Sequence, residues 1–154
     1  MSDQQAVFSI EKIYIKDLSI EVPNAPQIFL QREAPDIEIQ IQSAANSIDE
    51  GLFEVVLTVT VTAKLGEGEA TQAFFLVEVA EAGIFQIRHV PEQDMEAILA
   101  VACPNILFPY ARETIADAIG RAGFPAVHLA PVNFEALYQQ RLLERQADGR
   151  TQLQ

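Results

Sequence analysis

The chain has no tryptophan, one cysteine and two histidines, and only 10 basic residues against 22 acidic ones. Each shortage excludes something. One cysteine cannot close an internal disulfide, which fits a reducing compartment. A formal charge of -12 disfavours nucleic acid and anionic membrane surfaces, where Lys and Arg make the contacts. It favours solubility and basic partners. No apolar run reaches the length of a membrane span, so direct membrane insertion is not expected. The opening MSDQQAVFSI has no basic segment and no long apolar core, so it does not read as a signal peptide. The expectation is a cytoplasmic, soluble, acidic protein.

Chemistry-bearing clusters are scarce as well. His89 and His128 are far apart in sequence, and neither has a His or Cys neighbour, so both read as structural rather than metal-binding. Cys103 precedes a proline and has no local histidine signature; it reads as a small core residue, not a nucleophile. Gly66 to Gly68 (GEG) has no following lysine or helix start, so it is a hairpin turn rather than a phosphate cradle. The carboxylates are spread along polar faces and nothing selects a catalytic pair. No cofactor and no metal is expected, and a binding protein is a better reading than an enzyme.

What the chain does have is apolar alternation. Its 154 residues, 49% hydrophobic, suffice for one domain with a real core. Residues Met1 to Gln5 read as loose. Phe8 to Val22 alternates with a slipping phase: Phe8 and Ile10, then Ile13 and Ile15 on the other parity, then Leu18, Ile20 and Val22 back on the first. Each slip implies a bulge in one long strand. Pro23, Asn24 and Pro26 end it. Ala25 to Pro35 is a crossover with Ile28, Phe29 and Leu30, read either as a core plug or as the lip of a groove. Ile37, Ile39 and Ile41 alternate with Glu38, Gln40 and Gln42, as in an antiparallel strand. Ser43 to Gly51 reads as a turn region.

The third strand places Phe53, Val55, Leu57, Val59, Val61, Ala63 and Leu65 on one face. The fourth, Thr71 to Val79, is apolar on both faces, and Glu81 to Gly83 reads as a turn before Ile84 to Val90 finishes the sheet. Strands this greasy on both faces call for a second covering, and another subunit is the simplest one. Helices follow. Pro91, Glu92 and Asp94 open the first, with Met95, Ile98, Leu99 and Ala102 at helical spacing. Pro104 and Pro109 predict a break or kink. Ile115, Ala118, Ile119 and Ala122 form a narrow stripe, and Gly123 reads as the C-cap. Asn133 predicts a cap for a last helix with Phe134, Leu137, Tyr138 and Leu142 on one face. Gln146 to Gln154 reads as a disordered tail, leaving residues 1–145 as a single domain.

Four stretches also carry a resemblance. CPNILFPYARE from Cys103, LAPVNF from Leu129, KDLSIEVPNAP from Lys16 and EVVLTVTVTA from Glu54 resemble, in order, the signatures of the SecB family of bacterial export chaperones. The resemblance implies an α+β fold: a four-stranded antiparallel sheet followed by two helices packed on it, assembling as a homotetramer, a dimer of dimers. It implies nucleotide-independent holding of unfolded precursor polypeptides and their delivery to the SecA motor ATPase. It places Asp17, Glu21, Leu76 and Glu78 on the acidic SecA-binding surface. It places Phe29, Ile37, Ile39, Ile41, Phe134, Leu137 and Tyr138 in the client groove, and Val77 and Val79 at the tetramer interface.

Two alternatives stay open on the sequence. One is a SecB-like adaptor serving a toxin–antitoxin pair. The other is a hotdog-type ligand carrier or thioesterase, which would want its helix between strands rather than after all of them.

Overall fold

The computed structural model describes residues 4–153, with side chains as far as Gly149. Met1 to Asp3 of the stretch expected to be loose, and Gln154 of the tail, lie outside the described residues. Four antiparallel strands form one sheet in the order β1-β4-β3-β2. They are β1 (Val7–Glu21), β2 (Asp36–Asp49), β3 (Leu52–Leu65) and β4 (Gln72–Arg88). Behind them come α1 (Glu92–Ala97), α2 (Cys103–Arg121) and α3 (Phe134–Leu153). α1 runs into α2 through a π-helical turn at Ile98–Ala102. The sheet is therefore followed by two helical bodies.

The phase slips in β1 are real. Its pairing with β4 shifts between Ile10 and Lys12 and again between Ile15 and Asp17. An extra residue flips the side-chain parity, so two of them keep Phe8, Ile10, Ile13, Ile15, Leu18 and Ile20 on a single face. That face meets α2. On the two central strands it holds Val55, Leu57, Val59, Val61 and Ala63 from β3, with Phe75, Val77, Val79, Phe85 and Ile87 from β4, all buried. α2 covers them with Cys103, Leu107, Phe108, Ala111, Ile115 and Ile119, spaced at one helical turn as an amphipathic helix requires.

Four expectations are corrected. The supposed turn at Ser43 to Gly51 is mostly strand: β2 continues to Asp49, and Ser43 pairs with Leu57. Polar alternation hid it, because both its faces are accessible there. Glu81 to Gly83 is no turn, because β4 passes through it unbroken. Gly83 answers to close packing instead: a Cβ there would lie 2.7 Å from a Phe85 ring atom and 3.1 Å from Leu107 Cδ2. The prolines do not break the helix, but an irregularity does precede Pro104: α1 passes into α2 through the π-helical turn at Ile98–Ala102, where Cys103 N–H donates to Ile98 O. Such a shift in pairing accommodates the N–H that Pro104 lacks. Pro109 lies inside α2 with Asn105 four residues back, both exposed to water, which can solvate the unbonded carbonyl. Finally, α3 runs to Leu153, so residues 146–153 have helical backbone where a disordered tail is expected. Extending a nucleated helix gains one hydrogen bond per residue, and the single glycine, Gly149, costs only about 1 kcal/mol.

Glu81 is the one buried charged side chain among the described residues, 3% exposed on the α2 side of β4, and its Oε2 has no partner. Burial pushes its carboxyl above the ordinary 4.5. A raised carboxyl value means that the folded chain binds the proton more tightly than the unfolded one. The stabilisation is present in full below the ordinary value and is lost as pH rises through the raised one. Glu81→Gln, neutral at every pH, is expected to become more stable relative to wild type as pH rises from mildly acidic to neutral. Urea midpoints of both proteins across that range check it, and parallel curves would count against it. Gly83→Val is expected to cost about 1–3 kcal/mol by overpacking, read from the same midpoints.

Candidate functional site

The two faces of the sheet differ in chemistry, and each carries a candidate surface. On the inner side, α2 ends in a reversal that builds an aromatic trough. Gly123 N–H donates to Gly120 O at 3.1 Å and Phe124 N–H to Ile119 O at 3.2 Å, with Gly123 at φ +99°. This pair of bonds is a Schellman cap, and its left-handed residue favours glycine. The reversal throws Phe124 back over the sheet. Its ring stacks on Phe29 at 5.0 Å between centroids and tilts against Phe75 at 5.1 Å and Phe74 at 6.2 Å. Such spacings suit offset aromatic packing. A Cβ on Gly123 would come within 3.0 Å of the Phe29 ring, so glycine also makes room for that stack.

The other wall is the crossover between β1 and β2. It contains a single 3-10 turn, Gln27–Leu30, fastened to β4 by Asn24 Nδ2 donating to Ala73 O at 2.9 Å and by Gln31 Nε2 donating to Gln72 Oε1 at 3.0 Å. The loop divides between buried and exposed side chains. Ile28 plugs the core, while Phe29 is 47% and Leu30 81% exposed. Phe29, Ile37, Phe74, Phe75, Phe124 and Val127 line an open cavity of about 410 Å³. A larger depression of about 630 Å³ lies outside the crossover, lined by Asn24, Gln27, Gln31 and Gln72 among others. Its amides make it a poor seat for apolar side chains.

Of the expected groove residues, the structure brings Phe29 and Ile37 together. Ile39 shares the face of Ile37 and is exposed, while Ile41 is half-buried against the core. Phe134 is core: 5% exposed, its ring meeting Phe108 edge-on at 6.0 Å. Asn133 caps α3 as expected, Oδ1 accepting from Ala136 N–H at 2.9 Å. Tyr138 and Leu142 follow Phe134 at four-residue steps and are half-buried, whereas Leu137 is exposed. Leu137 and Tyr138 lie outside the residues lining the trough. Sequence reasoning missed Phe124. The one signal for it was the Gly-Phe-Pro run after a helix, where the cap returns the next side chain to the core.

The outer face is acidic. Ser19 pairs with Glu78 and Glu21 with Leu76, and Asp17 opposite Ala80 shares their parity. A shallow notch is lined by Ser19, Glu21, Thr60, Leu76, Val77 and Glu78. Among the described residues no hydrogen bond or ion pair engages the carboxylates of Asp17, Glu21 or Glu78. Further along, Glu54 accepts from Tyr14 Oη and from Lys16 Nζ, the latter at 2.9 Å. The Tyr14 and Lys16 bonds hold the Glu54 carboxyl below its ordinary value, and burial with the Glu54 bond pushes the Tyr14 hydroxyl up to about 12. That trio spans β1 to β3 and satisfies itself, leaving the three free acids as the surface open to a cation.

Val77 and Val79 sit on the inner face beneath α2 with no accessible surface in the single chain. They have nothing to offer a partner by contact. Cys103 is fully buried and desolvation pushes its thiol up to about 12, so it is no nucleophile. His89 follows β4 at φ 59° and is exposed, as is His128. Among the described residues, no group of three His, Cys, Asp or Glu is arranged to hold a metal, and no helix is long and apolar enough to cross a membrane.

Residues 1–145 match the family described as Preprotein translocase subunit SecB. The protein-export protein SecB of Chromobacterium violaceum is 59% identical over 152 residues, covering 97% of this chain and 99% of that one. That of Aromatoleum aromaticum is 65% identical over 135 residues, covering 88% and 83%. Among solved structures, the SecB-like chaperone of Mycobacterium tuberculosis, in complex with an antitoxin peptide, matches with a TM-score of 0.64 at 21% identity. That match covers 81% of this chain and 90% of that one, and it shows a shared fold. The apolar trough and the acidic face thus belong to a chain that is a member of the SecB family, protein-export chaperones rather than enzymes.

Proposed function

We propose that this chain, as one domain over residues 1–145, holds unfolded precursor polypeptides in the cytoplasm without nucleotide and passes them to the SecA motor ATPase. The observation that carries the reading is the separation of chemistries: exposed apolar and aromatic side chains on the inner face, unpaired carboxylates on the outer one. Phe29, Ile37, Ile39 and Phe124 bury client side chains at roughly 25 cal/mol per Å², and this needs no sequence code. Asp17, Glu21 and Glu78, beside Leu76, form the surface for a basic segment of the motor. Because the faces are opposite, the motor can dock on a loaded chaperone.

The working assembly is a homotetramer, a dimer of dimers. The support is the apolar surplus on β1, where Phe8, Ile10, Ile15, Leu18 and Ile20 are all exposed on the inner side. Val77 and Val79 contribute by fixing the helix that such a partner would meet. Nothing in this chain favours the toxin–antitoxin reading, since the solved chaperone bound to an antitoxin peptide shares only the fold. The hotdog reading fails on order, because every helix body follows the last strand.

Purified protein is expected to slow the refolding of an unfolded precursor in proportion to its concentration and to show a solution mass of four chains by light scattering. Refolding at the unassisted rate would overturn the reading. Asp17→Lys with Glu78→Lys is expected to weaken SecA binding roughly tenfold or more at low salt, leaving the slowing of refolding intact; calorimetry reads the first and a refolding assay the second. Phe124→Ala is expected to cost about 2–3 kcal/mol, given its half-buried ring, and to weaken client holding. Leu30→Ser should leave stability within about 0.5 kcal/mol. Chemical denaturation measures both.

A further inference from the structure

The acidic surface on the outer face has a cation beside it. At the second bulge of β1, Ile15 pairs with Glu81 and Asp17 with Ala80, while Lys16 between them has no partner on β4. An ordinary step along a strand puts neighbours on opposite faces. The bulge cancels that step. Asp17 keeps the parity of Ser19 and Glu21, and Lys16 Nζ bonds Glu54, which has the parity of Thr58 and Thr60 on β3. Lys16 and Asp17 therefore stand side by side on the outer face, joined by one peptide bond.

A lysine next to an open carboxylate is that carboxylate's nearest counter-ion. Here the ammonium is taken up elsewhere. Lys16 Nζ donates to both oxygens of Glu54, at 2.9 and 3.1 Å, and Tyr14 Oη donates to Glu54 Oε2 as well. The Glu54 side chain is 13% exposed against 51% for Lys16. Two loose side chains gain little from pairing in water, because ordering both offsets most of the attraction. Glu54 is the better acceptor on that account. Tyr14 and the surrounding strands have already ordered it, and the Tyr14 and Lys16 bonds keep it ionised. With Lys16 so occupied, Asp17 is left open, with Glu21 and Glu78 beside it.

We propose that Glu54 is a positioning residue for the motor-docking surface: it holds the Lys16 ammonium off Asp17, so that Asp17, Glu21 and Glu78 meet a basic segment as uncompensated carboxylates. The inference rests on the reading of that surface as the SecA site. Tyr14 acts one step further back, by fixing Glu54. Glu54 itself stands apart from the contact. It pairs with Ile84 and Asp17 with Ala80, and positions 80 and 84 of one strand are roughly 13 Å apart. Exposed charges are largely screened beyond about 8 Å at physiological salt. Removing the Glu54 charge therefore acts on the partner through Lys16.

The test measures SecA binding to the whole protein by calorimetry at about 0.15 M salt, where distant charges are screened. Glu54→Gln, which releases Lys16, is expected to bind roughly threefold to fivefold more weakly. Glu54→Gln with Lys16→Gln is expected to return to within about twofold of wild type, although it lacks the same bonds across the sheet; a merely structural loss would persist. Lys16→Gln alone is expected to bind at least as tightly as wild type. Glu11→Gln removes an acid from the same strand without touching the Lys16 pair and is expected to bind as wild type does. The inference is overturned by wild-type affinity in Glu54→Gln, by a double variant as weak as Glu54→Gln, or by weaker binding of Lys16→Gln. A loss in Glu11→Gln as large as that in Glu54→Gln would show net charge alone at work and equally overturn it. In each case the docking surface stands as long as Asp17→Lys with Glu78→Lys weakens binding. If that variant binds SecA as tightly as wild type, the surface is not the SecA site and the role of Glu54 falls with it.

Discussion

One helix is too narrow for this sheet. A helix with its side chains is about 10 Å across, while four strands spaced about 4.8 Å apart span roughly 15–20 Å. α2 therefore seals two strands and no more. The inner faces of β3 and β4 reach zero or near-zero exposure along its footprint, while Ile15 and Leu18 on β1 and Ile37 and Ile39 on β2 stay open to water. The mismatch is written into the side chains, because the apolar alternation runs unabated into the margins that the helix cannot reach. An ordinary monomer would have made those margins polar. Both the trough and the surplus on β1 follow from this single shortfall in width.

The outer face obeys the opposite rule. There the same strands present Thr58, Thr60 and Thr62 in the middle and acids toward the edge. The period of a strand keeps the two programmes apart, since neighbouring residues face opposite sides. The bulges in β1 are what maintain this division over 15 residues. Without them, Ile13 and Ile15 would turn toward the carboxylates. The second bulge restores the parity, so that Asp17 lies beside Glu78 and Glu21 rather than sharing the inner face of Ile15.

Alternation made much of this legible in advance. The parity of Phe8, Ile13 and Leu18 located both bulges, because a change of face leaves a mark in sequence. Long-range approach leaves none. Gly83 looked like punctuation, yet its bareness answers to Phe85 and Leu107, and Leu107 is distant in the chain. Ser43 to Asp49 looked like a loop because no face there is dry. Phe124 looked like part of a connector because its partners Phe29 and Phe75 meet it only once the cap has turned the chain. For the client groove, residue type alone could not separate Phe134, which is buried, from Leu137, which is not; the difference lies in which side of α3 meets Phe108.

The attachment of α3 carries a consequence of its own. Its first residue is held by an apolar ring contact, Phe134 on Phe108, and a later one by an exposed ion pair, Arg145 to Glu96 at 2.6 Å. These two fastenings answer to different variables. Added electrolyte screens the second and leaves the first alone; cooling weakens the first. The ion pair is therefore the part of the attachment that electrolyte weakens, while Phe134 stays seated on Phe108.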